Sequence, residues 1–392
     1  MTKTVLNPHL QRRALLAGSL ALGASSLAAP RMAFAQAPGA KNMLFVLLRG
    51  AMDGMAMLAP TGESRFEELR AAALPDYEGA RRIDSTFVLH PAFEQVGKSY
   101  AAGDALFVHA AATSYRARSH FDGQDLLESG ASTPNTMRDG WINRLVALMS
   151  DQTTPRALAI APTMPLALRG NAPVSNYAPS SLPDASDDFL DRVGKLYGGD
   201  AQLGELYTSA LETRAMAADD GLRNLRDAAK AGELAASLMR GEDGARIAMI
   251  ELGGWDTHAN QRATFARPAR NLDALLGAYA ASMGSAWDDT LVLVATEFGR
   301  TARYNGTAGT DHGTGSVALV MGGAVRGKRV VADWPGLGDS QLYQKRDLMP
   351  TTALESVLAG AAAEHFGLDP AISMASLFPG RSAAPLSGLV RT

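Results

Sequence analysis

The stretches that decide the fold are ELGGWDTH, residues 251–258, and ATEFGRTARYNGTAGTDHGTGSVALVMGG, residues 295–323. Each contains or follows an apolar run typical of a buried β-strand, and each carries acids and histidines among glycines. These polar residues are Asp256, His258, Glu297, Arg300, Asp311 and His312. In an open α/β sheet, ligands bind in the crevice beyond the carboxyl ends of the strands. The sequence therefore predicts an α/β protein with a divalent cation at that edge.

Composition limits the classes of protein to which the chain can belong. Its 392 residues are 46% hydrophobic and 20% charged, which is ordinary for a globular protein with a large core. Cysteine is absent, so disulfides, thiolate ligands and a cysteine nucleophile are excluded. Any metal must therefore be bound by oxygen and imidazole. The formal net charge of −3 argues against a nucleic-acid-binding surface.

Residues 1–35 have the pattern of an export signal. Arg12 and Arg13 precede a short apolar run rich in Gly, Ala and Ser, and Ala-Phe-Ala at 33–35 forms a cleavage site. Paired arginines before a weakly apolar run are typical of a twin-arginine signal. This pattern predicts export by the twin-arginine translocase to a periplasmic or secreted location. A transmembrane anchor is disfavoured because the run is short and interrupted, so no stable membrane span is expected in the mature chain.

The mature chain is predicted to form one α/β domain over residues 41–392. Apolar runs at 43–48 and 289–301 predict strands buried on both faces. The segment 187–242 is rich in Ala, Leu and Arg and lacks proline, which predicts a helical insertion. The proline-rich segment 162–186 predicts a loop.

Further site candidates follow two other predicted strands. Asp53 lies beyond the first apolar run, where it either points into the crevice or caps a turn. The segment 113–130 predicts a helix that starts near Ser119 and His120, which form either an anion-facing site or an ordinary helix cap. Arg118 beside them either binds an anionic substrate group or is simply solvated.

Glu297, just beyond the strand at 289–301, needs a partner because a buried and unpaired carboxylate is expensive. That partner is either a bound cation or Arg300 in a plain ion pair. Mixed carboxylate and imidazole ligands favour zinc or manganese over calcium or magnesium. Such an ion would polarise a phosphoryl, sulfuryl or acyl oxygen and lower the pKa of a bound water.

Five motifs carry a resemblance to a known family. RGAMDG, RSHFDGQDLLESG, GGWDTHANQ, TEFGRT and GTDHGTGSVALVMGG, in this order behind a twin-arginine leader, resemble the DUF1501 family of exported bacterial proteins. The resemblance covers nearly all of the mature chain. It implies the fold of the alkaline phosphatase and sulfatase superfamily, a mainly parallel sheet sandwiched by helices, but it implies no particular substrate.

The same resemblance implies roles for individual residues. Asp53 resembles the superfamily's first metal aspartate, and the pair Ser119 and His120 resembles the place of its nucleophile. Phe298 stands where the superfamily usually has a histidine and cannot bind a metal, so the second metal position is incomplete unless His120 or Asp311 fills it. The other residues that resemble its metal ligands are Asp256, His258, Glu297 and His312.

Two hypotheses of function follow. The first is an exported metal-dependent hydrolase of phosphate or sulfate esters, acting on a small molecule or a glycan, in which Ser119 or a water attacks and Arg300 or Arg118 steadies the anion. The second is a non-catalytic envelope protein that keeps the fold and binds a glycan or another cell-surface ligand. A metal-free acyl hydrolase using Ser119 and His312 is disfavoured because the sequence has no G-x-S-x-G elbow.

Overall fold

The structure is a computed structural model. It describes residues 41–149, 157–178, 187–197, 227–241 and 244–391, together with isolated positions between 199 and 211. The predicted twin-arginine signal lies outside the described residues and stays a prediction. Among the described residues, no helix has the length and apolar character needed to cross a membrane.

The elements of the described residues alternate between strands and helices. The strands are β1 (Asn42–Leu48), β2 (Leu58–Ala59), β3 (Val88–Leu89), β4 (Ala105–Ala112), β5 (Ala157–Ile160), β6 (Val174–Tyr177), β7 (Ile247–Leu252), β8 (Thr290–Thr296), β9 (Ser316–Met321), β10 (Val330–Val331), β11 (Leu342–Tyr343), β12 (Asp347–Leu348) and β13 (Thr352–Ala353). The α-helices are α1 (Gly54–Met57), α2 (Ser64–Arg70), α3 (Glu94–Ala102), α4 (His120–Ser129), α5 (Trp141–Met149), α6 (Asp187–Tyr197), α7 (Ala228–Met239), α8 (Gln261–Met283), α9 (Leu354–Phe366) and α10 (Pro370–Leu377). Short 3-10 helices cover Ala71–Tyr77, Leu166–Leu168 and Gly284–Asp289.

A nine-stranded, mainly parallel sheet forms the centre of the fold. Its order is β10-β4-β9-β8-β1-β7-β5-β6, and β13 also pairs with β4. Neighbouring strands run parallel except at β9, which is antiparallel to both β4 and β8. Because β9 is reversed, it begins at the edge where its neighbours end. Residues that precede β9 therefore lie beside residues that follow β8.

The helices cover both faces of the sheet, as the apolar run at 43–48 predicts. Met43, Phe45 and Leu47 belong to one buried cluster, which also contains the inward faces of α5, α9 and α10. The alternate residues of β1 belong to a second cluster with α3, α7 and α8. A central strand that is buried on both faces must be apolar at every position. The predicted α/β sandwich is confirmed.

Two other parts of the sequence prediction have different outcomes. The segment 162–186 is not a loop throughout, because Val174–Tyr177 forms an edge strand parallel to β5. This strand is only half-buried and partly polar, so it lacks the apolar run that marks the central strands. Helices α6 and α7 lie within the predicted insertion at 187–242. Since other parts of that segment lie outside the described residues, the insertion stays a prediction.

One buried histidine of the core, His109, is held in its neutral form. It lies in β4 at an irregularity of the pairing with β9 and is fully buried. Its Nε2 lies 3.0 Å from the carbonyl oxygen of Leu58, and its Nδ1 accepts a hydrogen bond from the N–H of Ala110 at 2.8 Å. A neutral ring with its hydrogen on Nε2 makes both hydrogen bonds. Burial lowers the pKa of His109 to about 4.

The depressed pKa makes His109 a source of acid instability. Its pKa lies below the ordinary value of 6.5, so the unfolded chain binds a proton first and stability falls as pH drops from about 6.5 towards 4. We expect His109→Gln to reduce the loss of unfolding free energy between about pH 7 and pH 4.5 by roughly 2 to 3 kcal/mol. Urea denaturation of both proteins at each pH measures this difference. An equal loss in the two proteins would contradict it.

Candidate metal centre

Four loops meet at one edge of the sheet. Leu48 of β1 is level with Leu252 of β7 and with Thr296 of β8, so the segments that follow these strands lie side by side. The segment before the reversed β9 joins them, and so does the N-terminus of α4, which follows β4. Side chains from distant parts of the sequence therefore reach one small volume.

Three imidazoles and one carboxylate converge in this volume. We call His120, Asp256, His258 and His312 the His/Asp cluster. The Nε2 atom of His312 lies 2.9 Å from that of His120 and 3.1 Å from that of His258. The Oδ1 atom of Asp256 lies 2.9 Å from Nε2 of His258 and 3.3 Å from Nε2 of His312, and its Oδ2 atom lies 3.4 Å from Nε2 of His120. Ligand atoms of His120, Asp256 and His312 all lie within 4.8 Å of one another.

The hydrogen bonds behind two of these rings determine their protonation. Nδ1 of His120 lies 2.8 Å from Oε1 of Glu297, and Nδ1 of His312 lies 2.9 Å from the carbonyl oxygen of Arg118. Both partners are acceptors, so each Nδ1 carries the hydrogen. A neutral imidazole has only one N–H. The two Nε2 atoms therefore face each other with lone pairs, which requires a proton or a metal cation between them.

The other two members of the cluster also have polar partners outside it. Nη1 of Arg300 donates to Oδ1 of Asp256 at 2.6 Å, and Nδ1 of His258 lies 3.6 Å from Oδ1 of Asp311. Metal-binding histidines almost always direct their second nitrogen to a carboxylate or a carbonyl oxygen, which sets the tautomer and the ring orientation. His120 and His312 have this arrangement, and Asp311 lies near the second nitrogen of His258.

The spacing of three members of the cluster, His120, Asp256 and His312, fits a single ion. Zinc binds imidazole nitrogen at about 2.0–2.1 Å, so neighbouring ligand atoms of a tetrahedral site lie roughly 3.3 Å apart. The donor atoms that face one another here are 2.9 to 3.4 Å apart. Two imidazole nitrogens and one carboxylate oxygen, from His120, His312 and Asp256, form a donor set that zinc accepts readily and that manganese tolerates, and His258 lies beside them. A divalent cation therefore fits these residues, and no cysteine is needed.

The pKa values of the two facing histidines shift in opposite directions. The hydrogen bond to Glu297 raises the pKa of His120 against the effect of partial burial. Burial lowers the pKa of His312, although its bond to the Arg118 carbonyl acts the other way. Without a metal, the proton that separates the two Nε2 atoms therefore belongs to His120. Burial tends to raise the pKa of Asp256, but the hydrogen bond and charge of Arg300, together with the charges of His258 and His120, outweigh it and lower this pKa.

We expect metal uptake to displace that proton. Since the pKa of His120 is raised, protonation competes with the metal at pH values above the ordinary histidine value of 6.5, and affinity falls as pH decreases. Calorimetric titration of zinc into metal-free protein, in buffers of different ionisation enthalpy, should show proton release on binding that increases as the pH falls below about 7. Binding with no proton release and no pH dependence would contradict the assignment of His120.

Glu297 is a positioning residue and not a ligand, contrary to the sequence prediction. Its side chain is fully buried, and Oε1 also accepts hydrogen bonds from the N–H of Gly50 at 2.8 Å and from Nε2 of Gln124 at 3.0 Å. Its Oε2 atom accepts a bond from the hydroxyl of Thr296. Oε1 thus holds His120, and Oε2 is bound by a protein hydroxyl. The predicted plain ion pair between Glu297 and Arg300 does not form.

Replacing Glu297 tests this role. In Glu297→Gln the amide can donate to Nδ1 of His120, which would move the ring hydrogen to Nε2, towards the metal. We expect the affinity for zinc to fall about 10- to 100-fold, as for other outer partners of metal ligands. Competition with a chromogenic chelator measures it. The matched control is Asp273→Asn, since Asp273 is also buried but accepts hydrogen bonds from the backbone N–H groups of Gln95 and Val96. An equal loss in both variants would argue against a specific role of Glu297.

Asp53 is bound by protein groups in the structure, whereas the sequence predicts that it is a metal ligand. Its Oδ2 atom accepts hydrogen bonds from Nη1 of Arg70 at 2.8 Å and from Nε2 of Gln261 at 2.7 Å, and Oδ1 accepts from the N–H of Ala56 at the start of α1. Asp53 and Arg70 are each only 1% exposed. The helix-capping alternative is therefore the one that the structure contains. Both oxygens of this buried carboxylate thus bind protein groups.

The two arginines that were predicted to steady an anion are both engaged elsewhere. The Arg300 side chain is fully buried and donates to Asp256 and to the hydroxyl and carbonyl oxygens of Thr310. Arg118 donates from Nε and Nη2 to Oδ2 of Asp347 at 2.9 and 2.7 Å. Arg300 thus orients a ligand, and Arg118 serves His312 through its backbone carbonyl. The Arg300 guanidinium is thus buried against protein groups, whereas contact of Arg118 with a substrate stays a prediction.

Ser119 and Asp311 lie next to the cluster and not within it. Ser119 is the N-cap residue of α4, although its side chain makes no capping hydrogen bond. Its neighbour His120 is the one that points into the cluster. Asp311 is half-exposed, accepts a hydrogen bond from Nδ2 of Asn305 at 3.0 Å and lies behind His258. Asp311 therefore supports His258 and does not complete the ligand set.

Several contributors could not be singled out by sequence pattern. Gln124 links the site to Arg49, because its Oε1 accepts from Nη1 of Arg49 at 2.6 Å while its amide donates to Glu297. The spacing of four residues between His120 and Gln124 on one helix is the signal that places both on one face. Phe298, which cannot bind metal, stacks on the ring of His120 with centroids 5.1 Å apart.

Comparison with known sequences identifies the family. A family model described as "Protein of unknown function (DUF1501)" matches residues 117–377, about two thirds of the chain. The chain belongs to the DUF1501 family. The matched region contains all four members of the His/Asp cluster of this DUF1501 protein. No curated protein sequence matches the chain significantly.

Solved structures provide distant similarities to this DUF1501 protein. The lipoteichoic acid synthase LtaP from Listeria monocytogenes is 8% identical, with a TM-score of 0.37, over 89% of this chain and 74% of that chain. A putative sulfatase from Bacteroides thetaiotaomicron is 11% identical, with a TM-score of 0.41, over 88% and 76%. A 2-O GAG sulfatase is 10% identical, with a TM-score of 0.38, over 84% and 71%. Similarity at this level carries no argument about activity.

Proposed function

We propose that this DUF1501 protein is an exported, metal-dependent hydrolase of phosphate or sulfate esters. The observation that carries the proposal is the pair of Nε2 lone pairs of His120 and His312, 2.9 Å apart and each backed by an acceptor. A binding site that leaves two lone pairs opposed is arranged for a cation. A divalent cation bound there would polarise an ester oxygen and lower the pKa of a nearby water.

The residues around the cluster support attack on an anionic ester. α4 begins at His120, so the N-terminal end of this ten-residue helix lies beside the cluster. The first N–H groups of a helix have no intrahelical partners and, with the helix dipole, they favour anions. These N–H groups of α4 would bind the phosphoryl or sulfuryl oxygens, the role that the sequence predicts for Arg300 and Arg118. Asp256 and His258 are nearly half-exposed, so a substrate can reach them from solvent.

Water is the proposed attacking group. Among the described residues, no histidine or carboxylate forms a hydrogen bond with the Ser119 hydroxyl, so no base is placed to activate it. In the proposed reaction a bond forms between the water oxygen and phosphorus or sulfur. The bond to the alkoxide oxygen breaks, the alcohol leaves with a proton and the acid is released.

Export is part of the same proposal. The sequence of residues 1–35 supports delivery by the twin-arginine translocase to the periplasm or the exterior. That route carries folded proteins, so the metal could be acquired before export. A small-molecule or glycan ester would then be encountered outside the cytoplasm.

A second candidate function is a non-catalytic envelope protein that binds a glycan or another cell-surface ligand. The observation in its favour is the same lack of a base at Ser119, together with Phe298 at the position where the resemblance implies a second metal ligand. A single cation with well-oriented ligands can position a ligand without cleaving it. Turnover separates the two candidates.

Activity assays on metal-loaded protein without a histidine tag test the hydrolase. We expect slow cleavage of 4-nitrophenyl phosphate or sulfate, and a decrease of kcat/KM of at least about 100-fold in Asp256→Asn and His312→Ala, because removing one metal ligand weakens the charge stabilisation of the transition state. Ser119→Ala should stay within about tenfold of the wild type, because water attacks.

The matched control is Asp339→Asn, which changes a largely exposed carboxylate outside the site. It should leave the rate unchanged. Absence of turnover on both esters in protein with one bound metal per chain would favour the non-catalytic candidate. A loss of about 1,000-fold or more in Ser119→Ala, with the metal still bound, would instead assign the attack to its hydroxyl.

A further inference from the structure

A polar pocket lies at the same edge of the sheet as the His/Asp cluster. It forms where β4 and β13 end side by side, with Ala112 level with Ala353, and it encloses about 300 Å³. This volume is at the lower end of the range for small-molecule sites. We call it the arginine pocket, after Arg116 and Arg381 in its lining. Hydroxyl groups line it as well, from Thr113, Ser114, Thr351, Thr352 and Ser382.

Two buried polar atoms of the arginine pocket have no hydrogen-bond partner. They are Oε1 of Glu355 and Nε of Arg381, whose side chains are only 4% and 10% exposed. Nη2 of Arg381 lies 3.2 Å from Oε1 of Glu355 but is not aligned for a hydrogen bond, and it donates to the carbonyl oxygen of Ala131 at 2.6 Å. An unsatisfied buried donor and acceptor cost free energy. Glu355 and Arg381 line the pocket, so a ligand with an acceptor and a donor that contacts their carboxylate and guanidinium groups would offset part of this cost.

The charge of the pocket favours an anion. Two guanidinium groups face one carboxylate, that of Glu355. No ion pair joins Arg116 to a carboxylate among the described residues, and its Nη1 donates to the carbonyl oxygens of Thr113 and Tyr115. Burial without a close acid lowers the pKa of Arg116. An anionic group would supply the countercharge that this side chain lacks.

We propose that the arginine pocket binds an acidic sugar unit, a small anion that also carries several hydroxyl groups. Its anionic group would accept from Arg116 and Arg381, and a hydroxyl would donate to Glu355. The lining threonines and serines would meet the remaining hydroxyls. An anion without hydroxyl groups would leave the Glu355 acceptor unsatisfied, and a neutral sugar would leave Arg116 without a countercharge.

The arginine pocket adjoins the His/Asp cluster through one short loop. Arg116 precedes His120 by four residues, which extend over at most about 14 Å. Arg116 and Arg118 also lie within 6 Å of the same ring centroid, that of Tyr343. A chain with an acidic sugar in the pocket could therefore present a neighbouring ester to the cluster. This link rests on the proposed function, whereas binding in the pocket does not.

Calorimetry with sodium glucuronate and glucose as probes tests the proposal on the full mature chain. After removal of metal with EDTA, we expect glucuronate to bind in the millimolar range and glucose at least tenfold more weakly. Arg116→Gln should weaken glucuronate binding about tenfold or more, through loss of a charge-assisted hydrogen bond, whereas Arg116→Lys should retain most of it. The control Arg65→Gln removes one positive charge outside the lining and should leave the affinity unchanged.

Three outcomes would overturn the proposal. Equal affinity for glucose and glucuronate would remove the role of charge, and equal losses in Arg116→Gln and Arg65→Gln would show a non-specific charge effect. Binding that disappears on metal removal would place glucuronate at the cluster. Failure of the hydrolase proposal has a different result, because an inactive protein would still bind glucuronate in the pocket.

Discussion

The candidate site depends on one electrostatic constraint, the approach of two imidazole nitrogens that both carry lone pairs. Such an approach is repulsive unless a positive charge lies between the rings. The buried carboxylate of Glu297 and the backbone carbonyl of Arg118 impose this approach. Each accepts a hydrogen bond from Nδ1 of one ring, Glu297 from His120 and Arg118 from His312, which leaves the Nε2 lone pairs facing each other. The fold therefore requires a proton or a metal ion between the Nε2 atoms of His120 and His312.

The surrounding structure makes this constraint rigid. Glu297 follows β8 directly and is fully buried, and the hydrogen bonds of Gly50 and Gln124 hold both the carboxylate and, through it, the ring of His120. Stacking by Phe298 limits rotation of that ring. Arg300 holds Asp256 in the same way from its buried position. Rings and carboxylate cannot move apart without breaking bonds in the core, so the site is preorganised for an ion.

The arginines at this edge of the sheet fall into two groups, those with a carboxylate partner and those without one. Arg49, Arg118 and Arg300 have carboxylate partners and act on protein groups. Arg116 has no such partner among the described residues and lies in a pocket of its own. The first three arginines orient the His/Asp cluster, whereas Arg116 is available to a ligand. The proposed cation site at the His/Asp cluster and the proposed anion site in the arginine pocket are therefore neighbours that do not share residues.

What the sequence determined by itself is the architecture and the identity of the cluster. The apolar runs at 43–48 and 289–301 predict the buried strands, and acids and histidines that follow such strands must project at one edge. Asp256, His258 and His312 could be named from those patterns alone, and His120 as an alternative ligand. Only the tertiary structure decided which acids face the ion. Asp53 and Glu297 have the same sequence signature as a ligand, yet contacts with residues far away in the chain, Gln261 for Asp53 and His120 for Glu297, turn their oxygens towards protein groups. A side chain's partner depends on the distances between elements, which a local pattern does not contain.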